Sequence, residues 1–462
     1  MNSFNLILDT DSYKSGHFLQ YPPRTTKLVA YLESRGGIFE KTVFFGLQYI
    51  LKKYLSQKVT DADVLEADAF FKHHKLPFNK EGWMYIVRKL NGKIPLKIYA
   101  VEEGSVVPTS NILMRIESTD PKCFWVVGWF ETMLLRVWYP TTVATQSWYA
   151  RKLIFRFLEK TADSPSDEVM FKLHDFGSRG VSSSESAAIG GAAHLVSFSG
   201  SDTIIGMICA NEYYDASLAP SSIPAAEHSS IMVWGKDKEG VAFSSIFEEL
   251  GKRSPLVALP ADTYDTWNAI DSLWGKKLRE KVKKSGVLLV VRTDSGNPPD
   301  VVLNALVKLE KAFGSTKNKK GYKVLNNVRL LHSDKLSLDM IKKILSVATS
   351  HKYSASNLVF GMGSSLLQKI NRDTQKFVYK ISYAEVDGKG VNVSKTPKTE
   401  PGKNSKSGYL DLILRGSKYQ TVVRKNGDNL ESELLLVYDN GQLIKNYLFD
   451  EVRSRANGIR SI

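Results

Sequence analysis

Acidic, basic and histidine residues recur in one setting along the middle of the chain, directly after short apolar runs. The densest group is Arg292-Thr293-Asp294-Ser295-Gly296-Asn297-Pro298, which follows Val287–Val291. An arginine, a carboxylate and a hydroxyl at one strand end could bind a polar ligand and position a ribose or magnesium-bound waters. The alternative is a turn in which Ser295 or Asn297 caps the next helix. We favour the functional interpretation, because an arginine at a buried strand end requires a partner.

Three further carboxylates, Asp202, Asp262 and Asp334, lie beside predicted strands. A carboxylate can accept hydrogen bonds from an amide NH2 or from sugar hydroxyls, and it can stabilise nearby positive charge. Each of the three, taken alone, could equally cap a helix. Together with Asp294 at one end of a sheet, they would be difficult to explain as caps only.

Two histidines, His174 and His228, each follow a strand-like or turn segment and have an acid beside them. Histidine can act as a base, a ligand or a phosphoryl acceptor, and the adjacent acid could orient the ring. A lone histidine is more often structural, so both interpretations stay open. The H-x-x-x-H and H-E-x-x-H spacings do not occur in the sequence, which disfavours a histidine metal site.

A glycine-containing segment, Gly361-Met362-Gly363-Ser364-Ser365, follows an apolar run and precedes Leu366-Leu367-Gln368-Lys369. Its backbone N–H groups could bind a phosphate at a helix N-terminus. A tight turn that needs glycine is the alternative. The sequence contains no G-x-x-x-x-G-K-[S/T] loop, which argues against a P-loop ATPase.

Short apolar runs separated by helical patterns repeat across the middle of the chain. They are Met170–Leu173, Thr203–Gly206, Leu256–Leu259, Val287–Val291, Val328–Leu331 and Leu358–Phe360. Continuous apolar runs bounded by turn residues are typical of parallel strands buried on both faces. Polar residues follow several of these strands, and such ends meet at the mouth of a barrel but are strung along the edge of an open doubly wound sheet. We therefore favour a (β/α) barrel over the open sheet.

The two flanks of this region show a different pattern. Antiparallel strands and their turns are predicted at Phe377–Ser382, Asp387-Gly388, Tyr419–Val423 and Asn440-Gly441. We therefore predict an α/β protein with an α/β barrel domain over residues 165–375. Residues 1–164 and 376–462 are predicted to form a second, discontinuous α+β domain rich in antiparallel strands.

Composition narrows the classes of function. The chain has 462 residues, 43% of them hydrophobic and 24% charged, as in folded globular proteins, and its net charge of +15 favours an anionic partner. Because the positive charge is spread along the chain, phosphorylated metabolites are favoured over nucleic acid.

Only Cys123 and Cys209 are present, which excludes a disulfide framework or a cysteine zinc cluster. Without a visible signal peptide or membrane span, we expect a cytoplasmic protein with no membrane partner.

Several collinear stretches resemble the nicotinamide phosphoribosyltransferases, which are type II phosphoribosyltransferases, over nearly the whole chain. The stretches are Asp11–Lys14, Gly46–Ile50, Lys172–Gly177, Arg179–Ser183, Pro224–Ser229, Asp294–Pro298 and Leu366–Lys369. The resemblance implies a barrel with a second, discontinuous domain, and a head-to-tail homodimer with active sites at the interface. It also implies an NAD salvage reaction, in which nicotinamide and phosphoribosyl pyrophosphate give nicotinamide mononucleotide and pyrophosphate. Mg²⁺ would assist, and ATP hydrolysis would be coupled through a phosphohistidine.

Carried over residue by residue, the resemblance implies a site for the nicotinamide ring. Phe176 would stack on one face of the ring and the partner subunit's Tyr13 on the other, as a flat heteroaromatic prefers. Asp202 would accept a hydrogen bond from the carboxamide NH2, and Arg292 would donate one to its carbonyl. Because a carboxylate at position 202 would repel nicotinate, the pair favours the amide over the acid.

The resemblance also implies roles around the sugar and its phosphates. The ribose and the magnesium-bound diphosphate would be surrounded by Arg179, Asp262, Asp294 and Asp334. Mg²⁺ would be held by Asp262 and Asp294, directly or through water. The 5′-phosphate would be held by Gly363 and Ser364, and further positive charge from both subunits would come from Arg35, Arg372, Lys380, Lys395 and Lys403. His228 would accept the phosphoryl group of ATP, and His174 would line the catalytic site.

Departures from the family pattern concern phosphate binding. The loop at 361–365 has fewer glycines than is usual, Thr293 stands where proline is common, and Ser333 and Lys335 flank Asp334 where glycines are common. Three alternatives stay open. The chain could prefer nicotinate, it could be a catalytically silent binding protein on the same scaffold, or its charge could serve nucleic-acid binding.

Overall fold

The computed structural model describes residues 4–216, 222–399, 404–425 and 427–458. The strands are β1 (Thr25–Ser34), β2 (Lys41–Val43), β3 (Leu96–Ala100), β4 (Val106–Pro108), β5 (Ile112–Ser118), β6 (Leu173–Asp175), β7 (Leu256–Pro260), β8 (Leu288–Thr293), β9 (Ser315–Lys317), β10 (Lys323–Leu325), β11 (Val328–His332), β12 (Leu358–Met362), β13 (Phe377–Val386), β14 (Lys389–Asn392), β15 (Leu410–Arg415), β16 (Lys418–Val423), β17 (Leu435–Asp439) and β18 (Gln442–Leu443).

The α-helices are α1 (Leu47–Ile50), α2 (Asp61–His73), α3 (Lys80–Lys89), α4 (Val126–Trp129), α5 (Glu131–Leu135), α6 (Trp138–Thr161), α7 (Pro165–Val169), α8 (Ser184–Leu195), α9 (Ile204–Tyr214), α10 (His228–Met232), α11 (Glu239–Gly251), α12 (Thr266–Asn268), α13 (Arg279–Ser285), α14 (Pro298–Phe313), α15 (Leu338–Ser350), α16 (Ser364–Leu367) and α17 (Phe449–Asn457). Short 3-10 and π-helical segments lie at Leu6–Leu8, Ser12–Leu19, Leu51–Leu55, Pro121–Cys123, Ser178–Gly180, Lys236–Lys238, Ala269–Lys277, Ala355–Asn357 and Arg372–Thr374. Among the described residues, no helix has both the length and the apolar character that crossing a bilayer requires.

The chain divides into two compact units. The first comprises Met1–Thr145, Cys209–Ser217 and Ile370–Ile462, and the second comprises Gln146–Ile208 and Leu218–Lys369. The sequence-based boundaries at 164 and 375 mark changes of pattern, whereas the compact units divide within α6 and α9. Hydrophobic periodicity identifies a helix but does not say which part of it packs into which unit.

A five-stranded parallel sheet forms the centre of the second unit, in the order β6-β12-β11-β8-β7. Single parallel bridges continue it beyond both edges, from Asp175 to Ser201 and from Ala225 to Ala258. Helices connect the successive strands, so the fold of this unit is mixed α/β. Parallel pairing brings the carboxyl ends of the strands, and the loops that follow them, to the same side of the sheet.

Five of the six apolar runs predicted to be strands lie on observed strands, although β6 begins only at Leu173. The prediction for Thr203–Gly206 is wrong, because α9 begins at Ile204 and the bridge to Asp175 is made earlier, at Ser201. A Cβ added to Gly206 would approach the Cα of Gly191 in α8 to 2.7 Å, so the glycines allow the two helices to pack closely. Periodicity alone does not distinguish so short an apolar run from the start of a helix.

The helix after the densest polar cluster forms as its residues predict. Pro298 stands at the start of α14, where its missing N–H costs nothing, and Gly314 ends the helix with a φ of 80°. One face is buried and includes Val302, Leu306, Leu309 and Phe313. Its burial fixes the loop 294–297 at the carboxyl end of β8.

The first unit contains a seven-stranded antiparallel sheet in the order β14-β13-β1-β5-β3-β17-β18. Its centre joins distant parts of the chain, because β1 pairs with both β13 and β5. The predicted hairpins are confirmed: Asp387-Gly388 connects β13 to β14, and Asn440-Gly441 connects β17 to β18. All four turn residues have positive φ, which matches the twist that two-residue hairpins require.

Candidate active site

A cavity of about 410 Å³ lies within the second unit, against the carboxyl-terminal halves of the parallel strands. Its walls include five residues singled out in the sequence, which are His174, Phe176, Arg179, Asp202 and Arg292. The floor is apolar, because Phe176 packs against the core formed by Ala258, Val290 and Leu331. The fold therefore brings an aromatic ring, a carboxylate and two guanidinium groups to one cavity.

The ring of Phe176 is positioned by the two strands beside it. Its N–H donates to the Met362 carbonyl at 2.8 Å, and Asp175 Oδ1 accepts from the Gly177 N–H at 2.7 Å. A Cβ added to Gly361 would lie 2.2 Å from the Phe176 ring. Gly361 is thus required to make room for the ring, a reason that differs from both the phosphate loop and the tight turn considered from the sequence.

Burial controls the ionisation of two groups beneath the cavity. His174 is buried in β6, which lowers its pKa, so the ring is neutral at pH 7. Burial likewise raises the pKa of the Asp175 carboxyl to about 6. The Asp202 N–H donates to the Asp175 carbonyl at 2.9 Å, and the Asp202 carboxylate accepts from the Ser222 hydroxyl at 2.5 Å. The Asp202 backbone is therefore tied to the end of β6, while its side chain is held by Ser222 and lines the cavity.

Arg292, at the end of β8, has the partner that its burial requires. Its Nε lies 3.0 Å from Asp294 Oδ2, and its Nη1 donates to the Ala226 carbonyl at 3.4 Å, while the side chain is 16% exposed. The Ser333 hydroxyl donates to the other Asp294 oxygen at 2.5 Å. Asp294 is thus held on both carboxylate oxygens, and Arg292 faces the cavity with its charge partly compensated.

His228, Asp262 and Asp294 come together from three different loops, with one potential ligand atom of each within 4.8 Å of the others. His228 begins α10; its Nδ1 lies 3.1 Å from the Thr263 hydroxyl and its Nε2 lies 3.7 Å from Asp262 Oδ1. The Ser295 hydroxyl donates to Asp262 Oδ2 at 2.7 Å. Asp262 Oδ1 is buried and makes no hydrogen bond among the described residues. A buried anionic oxygen without a donor is a place for positive charge, either a proton or a metal ion.

The remaining predicted phosphate and ribose residues follow the neighbouring strands of the same sheet. Asp334 follows β11, and its Oδ2 lies 3.3 Å from Lys335 Nζ. Lys335 has a φ of 52°, a conformation that usually favours glycine. Gly363 and Ser364 follow β12, and a Cβ on Gly180 would lie 2.4 Å from Ser364 Oγ. The loops after β6 and β12 are therefore in direct contact.

Comparison with known proteins places the chain in a family. A family model described as "Nicotinate phosphoribosyltransferase (NAPRTase) family" matches residues 171–441. The chain belongs to this family. A second model, "Nicotinamide phosphoribosyltransferase, N-terminal domain", matches residues 5–98.

Relatives named nicotinamide phosphoribosyltransferase are similar over most of the chain. The one from Xanthomonas campestris is 47% identical over 99% of this chain and 99% of its own length. Those from Mycoplasma genitalium and Acinetobacter baylyi are 33% and 30% identical, over 87% and 98% of this chain and 94% and 97% of their own lengths. These alignments are consistent with the resemblance noted from the sequence motifs.

Two solved structures share the fold. A nicotinate-nucleotide pyrophosphorylase from Pyrococcus furiosus has a TM-score of 0.62 at 16% identity, covering 99% of this chain and 96% of that one. Human nicotinic acid phosphoribosyltransferase has a TM-score of 0.53 at 16% identity, covering 97% and 93%. At this identity the likeness establishes the mixed α/β architecture and nothing about the substrate.

The other residues singled out in the sequence belong to the first unit. Tyr13 is 62% exposed, in the 3-10 helix Ser12–Leu19. Lys380 is half-buried in β13, and its pKa is lowered by burial and further by the nearby cations Arg35, Lys14 and Lys395. Arg372 is exposed beside Asp373, and Lys403 lies outside the described residues. The first unit thus gathers Arg35, Lys380 and Lys395 into one basic cluster.

The sequence analysis missed the residues that hold the acids. Ser222 binds the carboxylate of Asp202 and Ser333 that of Asp294, while two further missed residues, Thr263 and His332, bind His228 and Thr293. Ser295 was considered as part of a polar-ligand site or as a cap, and the structure shows that its hydroxyl binds Asp262. The available signal was a hydroxyl residue in each strand-end loop, because hydroxyl groups are the shortest donors that can orient a carboxylate.

Proposed function

We propose that this protein transfers the phosphoribosyl group of phosphoribosyl pyrophosphate to nicotinamide, giving nicotinamide mononucleotide and pyrophosphate in NAD salvage. The observation that carries the proposal is the cavity shared by Phe176, Asp202 and Arg292, which adjoins the cluster of His228, Asp262 and Asp294 through the Arg292–Asp294 ion pair. Membership of the family and the names of the relatives support the same pentosyl transfer.

The cavity suits a neutral aromatic amide. Phe176 offers one flat apolar face for a pyridine ring. Asp202 can accept from the carboxamide NH2, and Arg292 can donate to its carbonyl, so both polar ends of the amide find partners. The other ring face is left for the partner subunit's Tyr13 in a homodimer, and the exposure of Tyr13 in the single chain agrees with that role.

The chemistry is a substitution at C1 of the sugar. The bond from C1 to the pyrophosphate oxygen breaks, and the lone pair of the pyridine nitrogen forms the new bond, so no proton needs to move. Positive charge develops on the sugar ring as the leaving group departs, and nearby carboxylates stabilise it. We expect Asp262, Asp294 and Asp334, which follow neighbouring strands, to meet this charge, and Arg179 and Arg292 to attract the phosphates.

The donor set at this end of the sheet fits Mg²⁺. Asp262 and Asp294 would supply the oxygen ligands that Mg²⁺ prefers, directly or through water. Asp262 Oδ1, which makes no hydrogen bond among the described residues, is available to bind the ion. When bound, the ion would neutralise charge on the diphosphate.

His228 is the residue we propose for coupling to ATP. Its Nδ1 is engaged by Thr263, so Nε2 is the nitrogen presented to the cluster. Transfer of the terminal phosphoryl group to Nε2 would release ADP, and attack of water would later regenerate the imidazole. His174 lies in the wall of the neighbouring cavity as a neutral ring. Gly363 with Ser364 would hold the 5′-phosphate, and Arg35, Arg372, Lys380, Lys395 and Lys403 would add positive charge.

We further propose that the parallel sheet belongs to a barrel domain spanning residues 165–375, flanked by a discontinuous domain of residues 1–164 and 376–462, in a cytoplasmic enzyme. The strand order supports a barrel, because the sequence of neighbours from Ser201 through β6, β12, β11, β8 and β7 to Ala225 follows the chain around a ring. Among the described residues, the segments at Ser201 and Ala225 form no bridge with each other, so this is the one place where the ring of paired strands is not closed.

The decisive experiment is product analysis with nicotinamide and with nicotinate, each with and without ATP. We expect mononucleotide from nicotinamide, formed faster with ATP. Asp202→Ser removes the charge that repels nicotinate, so the ratio of kcat/KM for nicotinamide over nicotinate should fall at least about 10-fold. Asp339→Ser, an exposed acid on α15, serves as the charge-matched control and should leave the ratio unchanged.

Two results would contradict the proposal. A wild-type protein that prefers nicotinate, with Asp202→Ser having no effect, would favour the acid-specific transferase. Absence of mononucleotide from either base would favour a silent binding protein on this scaffold.

A further inference from the structure

A buried histidine links two of the strand-end loops. His332 is the last residue of β11 and Thr293 the last residue of β8, and the two are direct partners in the parallel register. Both are buried, with His332 1% exposed and Thr293 fully enclosed. Asp294 follows Thr293 in the chain and Asp334 follows two residues after His332, so each loop carries a carboxylate of the proposed site.

The hydrogen bonds of His332 have one consistent direction. Its Nε2 lies 3.1 Å from the Asp334 carbonyl, which can only accept, so Nε2 carries the proton. Burial lowers the pKa of His332, so the ring is neutral and Nδ1 has a lone pair. The Thr293 hydroxyl, 3.3 Å away, then donates to Nδ1. The result is a directed chain from the β8 loop through the imidazole to the backbone of the β11 loop.

A second link runs beside the first. The Ser333 hydroxyl donates to Asp294 Oδ1, while Arg292 Nε faces Oδ2 at 3.0 Å. Ser333 stands where the family resemblance leads one to expect glycine, which has no side chain to offer. The orientation of the Asp294 carboxylate is therefore set from the β11 loop as well as from its own strand.

We propose that His332, assisted by Ser333, is a positioning residue that fixes Asp294 and Asp334 relative to each other for binding of the sugar diphosphate. The inference rests on the proposed phosphoribosyl transfer. Carboxylates that meet a polyanion through a metal ion and a sugar hydroxyl must be placed to within fractions of an ångström, and outer residues that orient such groups typically change affinity or activity about 10- to 100-fold. Among the described residues His332 makes no hydrogen bond to Phe176, Asp202 or Arg292, so its main effect should fall on the sugar diphosphate.

The chain offers a matched control in His194. This histidine is also fully buried in the second unit, its Nδ1 lies 2.9 Å from the Ser147 hydroxyl, and its Nε2 lies 3.2 Å from the Leu173 carbonyl. It thus makes the same two kinds of hydrogen bond as His332, on α8 and away from the Asp294 and Asp334 loops. Loss of either imidazole should destabilise the fold similarly, and only His332 should affect the sugar diphosphate.

The experiment compares His332→Leu with His194→Leu. Steady-state kinetics with nicotinamide varied and with phosphoribosyl pyrophosphate varied separate the two substrates, and calorimetric titration with magnesium diphosphate measures binding without turnover. For His332→Leu we expect kcat/KM for phosphoribosyl pyrophosphate and the affinity for magnesium diphosphate to fall about 10- to 100-fold, with the KM for nicotinamide within about twofold. His194→Leu should lower the melting temperature and leave both values within about twofold.

Two further variants keep the inference testable if His332→Leu does not fold. Thr293→Val removes only the donor to Nδ1 and should shift the same parameters in the same direction by a smaller factor. His332→Gln retains a side-chain N–H for the Asp334 carbonyl and should recover most of the diphosphate affinity. The combination of Thr293→Val with His332→Leu should be no worse than His332→Leu alone, because both break one chain of hydrogen bonds.

The inference is overturned if the His332 and His194 variants share one profile, or if the effect falls on nicotinamide. It is also overturned if Thr293→Val leaves diphosphate binding unchanged. A wild-type protein that binds magnesium diphosphate but makes no mononucleotide would contradict the proposed function alone. Calorimetry would still measure how the His332 variants change the affinity for magnesium diphosphate. Failure of the wild type to bind magnesium diphosphate would remove both.

Discussion

Two groups of acids, one in each unit, have their charge compensated in different ways. In the first unit, Asp411 is fully buried, and its Oδ2 lies 3.0 Å from Arg424 Nη1 and 3.5 Å from Arg115 Nη1. Arg115 in turn lies between the rings of Tyr99 and Tyr409, 4.3 and 4.8 Å from their centroids. Charge in this region is matched by opposite charge from the same unit, as a structural network requires.

At the carboxyl ends of the parallel strands in the second unit, a hydroxyl group holds one oxygen of each of two acids, and Arg292 faces the other oxygen of Asp294. Ser295 binds one oxygen of Asp262, and Ser333 binds one oxygen of Asp294. A hydroxyl orients a carboxylate without neutralising it, and the second Asp262 oxygen makes no hydrogen bond. The comparison teaches that charge matched by charge stabilises the fold, whereas charge that is only oriented remains available for a ligand.

The largest expected effect breaks the matched network. Asp411→Ala leaves two arginines, one of them buried, without their carboxylate, and we expect the free energy of unfolding to fall by about 3–5 kcal/mol. Chemical denaturation measures the loss. Asp439→Ala removes the acid of a partly exposed pair with Lys97 at 3.7 Å and should cost less than about 1 kcal/mol. If the two variants lost equal free energies of unfolding, the buried network would contribute no more to stability than the partly exposed pair.

An effect of similar size, mainly on activity, is expected at Asp294. Asp294→Asn keeps the shape of the side chain but removes its charge, so kcat/KM should fall about 100- to 1,000-fold, or about 3–4 kcal/mol in transition-state stabilisation. The melting temperature should fall by less than in Asp411→Ala, because Arg292 is partly exposed and keeps the Ala226 carbonyl as an acceptor. Asp300→Asn, an exposed acid in the first turn of α14, provides the control. If Asp294→Asn kept near-normal activity, or if it failed to fold, we would conclude that Asp294 stabilises the fold and does not act on the substrate.

A smaller, pH-dependent effect tests the buried acid beneath the cavity. Burial raises the pKa of Asp175 to about 6 from its ordinary 3.8, so the folded protein holds a proton that the unfolded chain releases. The free energy of unfolding should therefore fall as the pH rises from about 4 to about 6, by up to roughly 3 kcal/mol, and stay level above that window.

Asp175→Asn removes this cost, because an amide stays neutral while its oxygen can still accept from the Gly177 N–H. The variant should match the wild type near pH 4 and be the more stable protein above pH 6, as measured by denaturation across the range. Asp339→Asn should follow the wild type throughout. A difference between Asp175→Asn and wild type that does not change with pH would disprove the linkage.

The sequence predicted much of the parallel sheet and its polar edge for a simple physical reason. A strand buried on both faces must be continuously apolar, so the charged residue that follows Val287–Val291 marks the point where the strand leaves the core. The same reasoning failed at Thr203–Gly206, where an apolar run begins a helix. It also gave no account of Gly361, whose missing side chain makes room for a ring that lies far away in the sequence.

By itself the sequence determined the local structures and the kinds of group at the strand ends, because periodicity, caps and turn residues act over a few neighbours. Only the tertiary structure decided which of those groups meet. The contacts of His332 with Thr293 and of Ser333 with Asp294 each join residues 39 apart in the chain, and that of Gly361 with Phe176 joins residues still farther apart. Such contacts depend on the register of neighbouring parallel strands, which sets the partner of each side chain and leaves no short-range trace in the chain.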